Sequence, residues 1–238
     1  MAGIGPAPEH DAEAAVSDGE AGGYEPRAQE VARWLRDEIY AGRFEAGQPV
    51  RQAAVAEELG VSRIPVREAL RLLETEGLLV LRPHSGARVA ALDLAECEEI
   101  YKMRARLEPL ALAESIPRLG EQEIAEAKRL AVELEALDDQ DPTVWIECDR
   151  RLHLAFYAGL ETSRLVRTIS GFWNTSQHYR RGLIKTFSEH DFELAHAEHK
   201  LMIDAMETGN VRIGEEVLRA HVERSRLRLS RIPELFEN

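Results

Sequence analysis

Apolar positions along the chain recur with two periods. From Arg27 to Tyr40 they fall at Val31, Leu35 and Ile39 with Trp34 beside them, which predicts a first helix that Gly42 stops. After the turn-rich stretch GRFEAGQP, a short helix over about Gln52 to Leu59 ends at Gly60. Ser62 is placed to cap another over about Arg63 to Glu76. Pro65 falls in its first turn, where a missing N–H is harmless, and Gly77 closes it. The pattern then shortens to two apolar runs, Leu78–Leu81 and Ala87–Ala90, joined by Arg82-Pro83-His84-Ser85-Gly86, which reads as a β-hairpin.

Beyond Asp93 only the helical period remains. Ile100, Met103, Leu107 and Leu110 mark one helix, and Glu121 to Leu137 another. Asp141-Pro142 opens a third running to about Leu160, and Ser163 caps a fourth that reaches about Lys185. A fifth covers about Glu189 to Glu207, and Thr208-Gly209-Asn210 turns the chain into a sixth ending near Ser230. The expected fold is mainly α: an N-terminal winged helix-turn-helix over 25–91 and a C-terminal antiparallel all-helical bundle over 92–238. Residues 1–24 hold Ala, Gly and acids without a repeating apolar face and are expected to form a mobile arm.

The net charge of −13 argues against a nucleic-acid partner until its distribution is read. Residues 1–25 carry six acids and no Lys or Arg; 26–91 carry ten Arg, no Lys and nine acids; the remainder carries twenty basic and twenty-eight acidic residues. Steering toward phosphate depends on local patches, so the Arg-only segment keeps double-stranded DNA in view. Two cysteines, Cys97 and Cys148, are too few for a disulfide framework or a four-thiolate zinc site, and no leader pattern opens the chain. A reducing cytoplasm is the expected setting. No apolar run approaches the ~20 residues of a bilayer span, so no membrane partner is expected.

On the second helix of the winged motif, Arg63, Arg67 and Arg71 are spaced by four and form one stripe, opposite packing surface from Val66, Ala69, Leu70, Leu72 and Leu73. Arg63 and Arg67 lie nearest the helix N-terminus and are placed to meet guanine edges, with Ser62 beside them at the cap. For Arg71 the plainer reading, a pairing with Glu68, Glu74 or Thr75, is preferred. His84, Ser85 and Gly86 at the wing tip are candidates to reach a minor groove or the backbone, though such tips are often only turns.

The ordered string from Ala56 to Leu78, AEELGVSRIPVREALRLLETEGL, with Ile39…Gly42…Gly47 before it and Pro83-His84-Ser85-Gly86 after it, closely resembles the N-terminal domain of the GntR family of bacterial transcription regulators. The resemblance covers about residues 27–91. It implies a dimer on a pseudo-palindromic operator, with Arg63 and Arg67 as recognition-helix arginines and Arg51, at the start of the preceding helix, as a further candidate.

In the bundle, Asp149 and His153 continue the apolar stripe Ile146, Asp149, His153, Phe156 and so point inward. His199 lies on the stripe Ala195, His199, Met202, Met206, and His221 on Ile213, Val217, His221. The turn at Gly209 falls ten residues after His199 and twelve before His221, so at ~1.5 Å rise per residue both return to nearly the same depth. A single core His is more often hydrogen-bonded to a carbonyl than metal-bound, but burying one Asp and three His without a cation costs several kcal/mol. His196 is an alternative ligand on the same helix.

This part of the chain, about 93–230, resembles the effector-binding bundle of the FadR-like, FCD-type subfamily. The resemblance implies a divalent metal held by Asp149, His153, His199 and His221. Such a set of N and O donors suits zinc best, with Ni or Mn alternatives, and leaves positions for an incoming group. It also implies a small carboxylate effector aided by an arginine, for which Arg104 matches; its plainer reading is an ion pair with Glu108. Trp173, Phe172 and Asn174 are candidate pocket residues, with Asn174 the polar contact. The leading expectation is a ligand-responsive repressor. The alternative, a metal-dependent hydrolase or lyase with a DNA-binding appendage, needs a base at the metal, and Glu198 sits about 100° around the helix from His199. A third reading has the metal merely pinning the bundle.

Overall fold

The computed structural model describes residues 21–82, 86–137, 141–160 and 163–236, with side chains from Pro26 onward. The described residues build two apolar cores. The smaller is built by α1 (Ala21–Tyr40), α2 (Gln52–Glu58), α3 (Arg63–Thr75) and a three-stranded sheet, with Leu35, Val66, Leu70 and Leu73 at its centre. The sheet holds β1 (Pro49–Val50), β2 (Leu79–Arg82) and β3 (Gly86–Val89) in the order β1-β3-β2, all pairs antiparallel. The register pairs Val50 with Ala87 and Arg82 with Gly86. The periodicity did not mark β1: two residues are too short to alternate, and β3 supplies the pairing that makes them a strand.

The helix α1 begins at Ala21, inside the expected arm of 1–24. Gly22-Gly23 has low helix propensity and hid this extension. The rest of the arm, like His84 and Ser85 of the wing tip, lies outside the described residues.

The larger core belongs to six helices, α4 (Leu94–Ser115), α5 (Glu121–Glu135), α6 (Pro142–Phe156), α7 (Arg164–Ile184), α8 (Glu189–Thr208) and α9 (Val211–Leu229), around Leu112, Ile146, Leu152 and Met202. Their starts follow local chemistry. Asp93 and Glu96 form a reciprocal capping box at α4, Asp141 accepts from the Thr143 amide ahead of α6, and Ser163 accepts from the Val166 amide at α7. The helix α6 stops at Phe156, short of the expected Leu160, and residues 158–160 tighten into a 3₁₀ turn. At Gly209 the backbone takes φ 65°, a left-handed cap that folds α9 back along α8. Among the described residues, no helix is long and apolar enough to cross a membrane.

Candidate functional site

The reading face is the outer surface of α3. Its inner side, Pro65, Val66, Ala69, Leu70 and Leu73, is buried, while Arg63 and Arg67 project outward, as do Ser62 before them and Arg51 ahead of α2. Ser62 stands at the N-cap position in extended backbone, but its side chain makes no capping bond. Arg71 lies 3.3 Å from Glu68, in keeping with its plainer reading, and Arg67 lies 3.4 Å from the same carboxylate with more than half its side chain exposed. Leu72, expected in the packing surface, is 42% exposed, and Ile64 is 50% exposed beside the arginine stripe. On the wing, Gly86 is exposed with φ 75° and closes the strand pair with Arg82.

In the bundle the three inward stripes converge. His153 of α6, His199 of α8 and His221 of α9 each offer a ring nitrogen within 4.8 Å of the others, and all are buried. Asp149 joins them: its Oδ1 lies 3.4 Å from His199 Nε2 and 3.8 Å from His153 Nε2. That oxygen and both nitrogens have no hydrogen-bond partner and are shut off from solvent. Such atoms are costly unless something satisfies them, so the donor set fits a divalent cation. His196, the alternative ligand, stands outside the trio that offers nitrogens to one point.

Carboxylates stand behind two of these rings. Glu198 Oε2 is 2.6 Å from His221 Nδ1, leaving Nε2 for the cluster, and Glu108 Oε2 is 3.5 Å from His153 Nδ1. Backing of this kind orients metal-ligating imidazoles. Burial pulls the His153 pKa down against the opposing pull of Asp149 and Glu108, and the His199 pKa well down, with its neighbouring histidines adding to the effect. Both rings are thereby held neutral, the form a metal requires.

Beside the cluster lies a small cavity, lined among others by Tyr101, Arg104, Trp173, Arg180, Arg224, Asp149 and His221. Arg104 makes the ion pair of its plainer reading and also lines the cavity. Its Nε donates to Glu108 Oε1 at 2.6 Å, and its guanidinium also lies over Trp173 at the cavity wall. Glu108 accepts from Tyr157 and Trp173 as well. Burial opposes its charge, yet Arg104 and His153 hold its carboxyl below the usual range. Arg180 donates to Asp149 Oδ2. The sequence pattern singled out neither Arg180 nor the backing role of Glu198. Arg180 falls seven residues after Trp173, two turns along one face of α7, which is the available signal.

Asn174 requires a correction. It is placed not at this cavity but where α7 meets the winged domain, with every polar atom engaged there. Its Oδ1 accepts from Tyr40 Oη and Arg150 Nη2, both at 2.9 Å, and its Nδ2 donates to the Glu76 carbonyl at 2.7 Å. A rotation of about 100° per residue turns Asn174 away from the face that Trp173 presents to the cavity. Phe172 likewise lies in an outer groove with Glu74 and Gly171.

A winged helix-turn-helix joined to an all-helical domain with an inward Asp/His cluster defines a class of bacterial transcription regulators. The chain belongs to the GntR family, of the FCD-domain type: "Bacterial regulatory proteins, gntR family" matches residues 27–89 and "FCD domain" matches 99–224. It is 28% identical over 189 residues to the HTH-type transcriptional regulator YdhC of Bacillus subtilis, covering 79% of this chain and 84% of that one. It is 30% identical over 198 residues to the "Probable D-xylose utilization operon transcriptional repressor" of Paenarthrobacter nicotinovorans, covering 82% and 85%. The fold is shared with E. coli McbR/YncC at a TM-score of 0.75 and 22% identity, over 86% of this chain and 97% of that one. By its family the chain is a transcription regulator.

Proposed function

We propose that this regulator is a repressor that grips a pseudo-palindromic operator as a homodimer and responds to a small organic acid bound beside a divalent metal, with zinc the metal the donors suit best. Arg63 and Arg67 read base edges, Arg51 and Ser62 hold the flanking backbone, and the wing reaches the adjacent groove through His84 and Gly86. In the bundle, Asp149, His153, His199 and His221 hold the metal, Arg104 meets the acid, and the work is done in the cytoplasm. When bound, the metal supplies an electrophilic anchor for one carboxylate. The supporting observation is the convergence of three histidines and Asp149 beside a cavity lined by Asp149, His221 and three arginines. That cavity shares α7 with the winged domain, since Trp173 and Arg180 face it while Asn174 and Thr175 hold Glu76 and Gly77.

Effector and operator then act on one conformational equilibrium, each changing the other's affinity by the same factor. The test is an operator titration of metal-loaded protein at fixed salt across a panel of small carboxylates. At least one is expected to change operator Kd about fivefold or more. If none does, the metal only pins the bundle.

A further inference from the structure

Among the described residues of the winged domain, the large apolar side chains left exposed are Ile64, Leu72 and Val80, at 50%, 42% and 43%. Ile64 is set apart by its place. It is the second residue of α3, directly after Arg63 and three before Arg67, in the first turn of the helix. At about 100° per residue it lies almost opposite the middle of the arc that Pro65, Val66, Ala69, Leu70 and Leu73 bury, so it points more squarely outward than either arginine. Leu72 stands two turns further along, and Val80 is on β2.

The free protein gains little from an isoleucine at this position. A β-branched side chain is a poorer helix former than Ala, Lys or Glu, and half of this residue stays in water. Its side chain carries no hydrogen-bonding atom, so it can serve neither a phosphate oxygen nor a polar base edge. The major groove nevertheless presents one apolar group, the 5-methyl of thymine, and the first turn of a groove-entering helix is the part that meets base edges. Arg63 and Arg67 both lie to one side of Ile64, about 100° and 60° around the helix, so the guanidiniums and the apolar side chain are directed at neighbouring base pairs.

We infer that Ile64 is a specificity-determining residue, which reads a thymine in each half-site by packing against its 5-methyl group. It separates thymine from cytosine, whose ring carries only hydrogen at that carbon, and adds an apolar contact to the arginine readout. The inference rests on the proposed function, from which it takes α3 as the helix that enters the major groove.

The experiment begins by selecting, with full-length protein at fixed salt, the preferred duplex from a random-sequence pool. Each thymine of that duplex is then replaced by deoxyuridine, which removes the methyl group and leaves every hydrogen-bonding atom of the base in place. Wild-type affinity is expected to fall about fourfold at one thymine per half-site, the factor that burial of one methyl group supplies. Ile64→Ala, which substitutes a better helix former at an exposed position, is expected to keep the thermal midpoint, to bind the thymine duplex at least as weakly as the wild type binds the deoxyuridine one, and to bind both duplexes equally. Wild-type indifference to deoxyuridine at every thymine overturns the inference and leaves the arginine readout standing. So does an Ile64→Ala variant that still distinguishes the two duplexes by the wild-type factor. If no sequence is enriched from the pool, the proposed function falls as well.

Discussion

The hydroxyl of Tyr40, the last residue of α1, donates to Oδ1 of Asn174 across 134 positions of sequence, and the same amide donates through Nδ2 to the carbonyl of Glu76 at the end of α3. One side chain of the bundle thus holds the ends of two helices of the winged domain. Burial pushes the Tyr40 phenol up to about 12, so it remains a hydrogen-bond donor throughout the physiological range. The approach is close. Gly77 has φ 78°, and a Cβ there would stand 2.9 Å from Thr175 Oγ1. Asn174→Ala strips the partners from buried groups at a cost of about 1–3 kcal/mol and loosens the joint. The expected result is a lower thermal midpoint, with acid binding retained and the acid's effect on operator affinity diminished. Operator titrations with and without acid check it, and an undiminished response would show that the joint carries no signal.

At the reading face, Arg67 is exposed on the second turn of α3, with one weak contact to Glu68. Since the free protein gains little from that contact, Arg67→Ala is expected to leave stability within about 0.5 kcal/mol. Operator affinity is expected to fall by more than about 1 kcal/mol, with relaxed discrimination at the contacted base pair. Salt-controlled binding to operator variants tests this; a uniform loss across sequences would assign Arg67 to phosphate instead.

At the metal centre, His221→Ala should lower metal content and thermal midpoint together, because binding energy at such sites is also folding energy. Glu198→Gln keeps the ligand but removes the charge behind it, and metal affinity is expected to fall about 10–100-fold. Competition with a chelator reads both. Full occupancy in His221→Ala would remove that residue from the ligand set.

Acid stability gives a separate handle on the α8–α9 hairpin. Arg228 donates to Asp191 at the open end of the hairpin, and this bond, joined by the Ser188 amide, holds the Asp191 carboxyl below its ordinary 3.8. A carboxylate depressed in the folded state contributes stability above its unfolded pKa and loses it as pH falls toward the folded value. The expected signature is a stability loss below about pH 3.8 that is shallower in Asp191→Asn, which starts from a lower plateau at neutral pH. Denaturant titrations at several pH values distinguish this from a pair of no consequence.

Much of this architecture was legible along the chain because it is written in local periodicity. The inward stripes holding Asp149, His153, His199 and His221 follow from 3.6 residues per turn, and the ten- and twelve-residue arms around Gly209 bring the rings of His199 and His221 to 4.9 Å. The Arg63 and Arg67 stripe is legible for the same reason. Asn174 shows where that reasoning ends. Its neighbour Trp173 faces the cavity, and nothing within α7 tells which of two adjacent residues looks toward which partner.

What the sequence by itself determined is the set of helices, the face each would bury and the residue types those faces carry. Only the tertiary structure decided that Arg180 meets Asp149 and that Glu198 stands behind His221. It also decided that Asn174 belongs to the joint and not to the pocket. Helix formation and facing depend on residues three and four positions apart. Meetings between helices depend on crossing angles and packing among segments far apart in sequence, which no local pattern encodes.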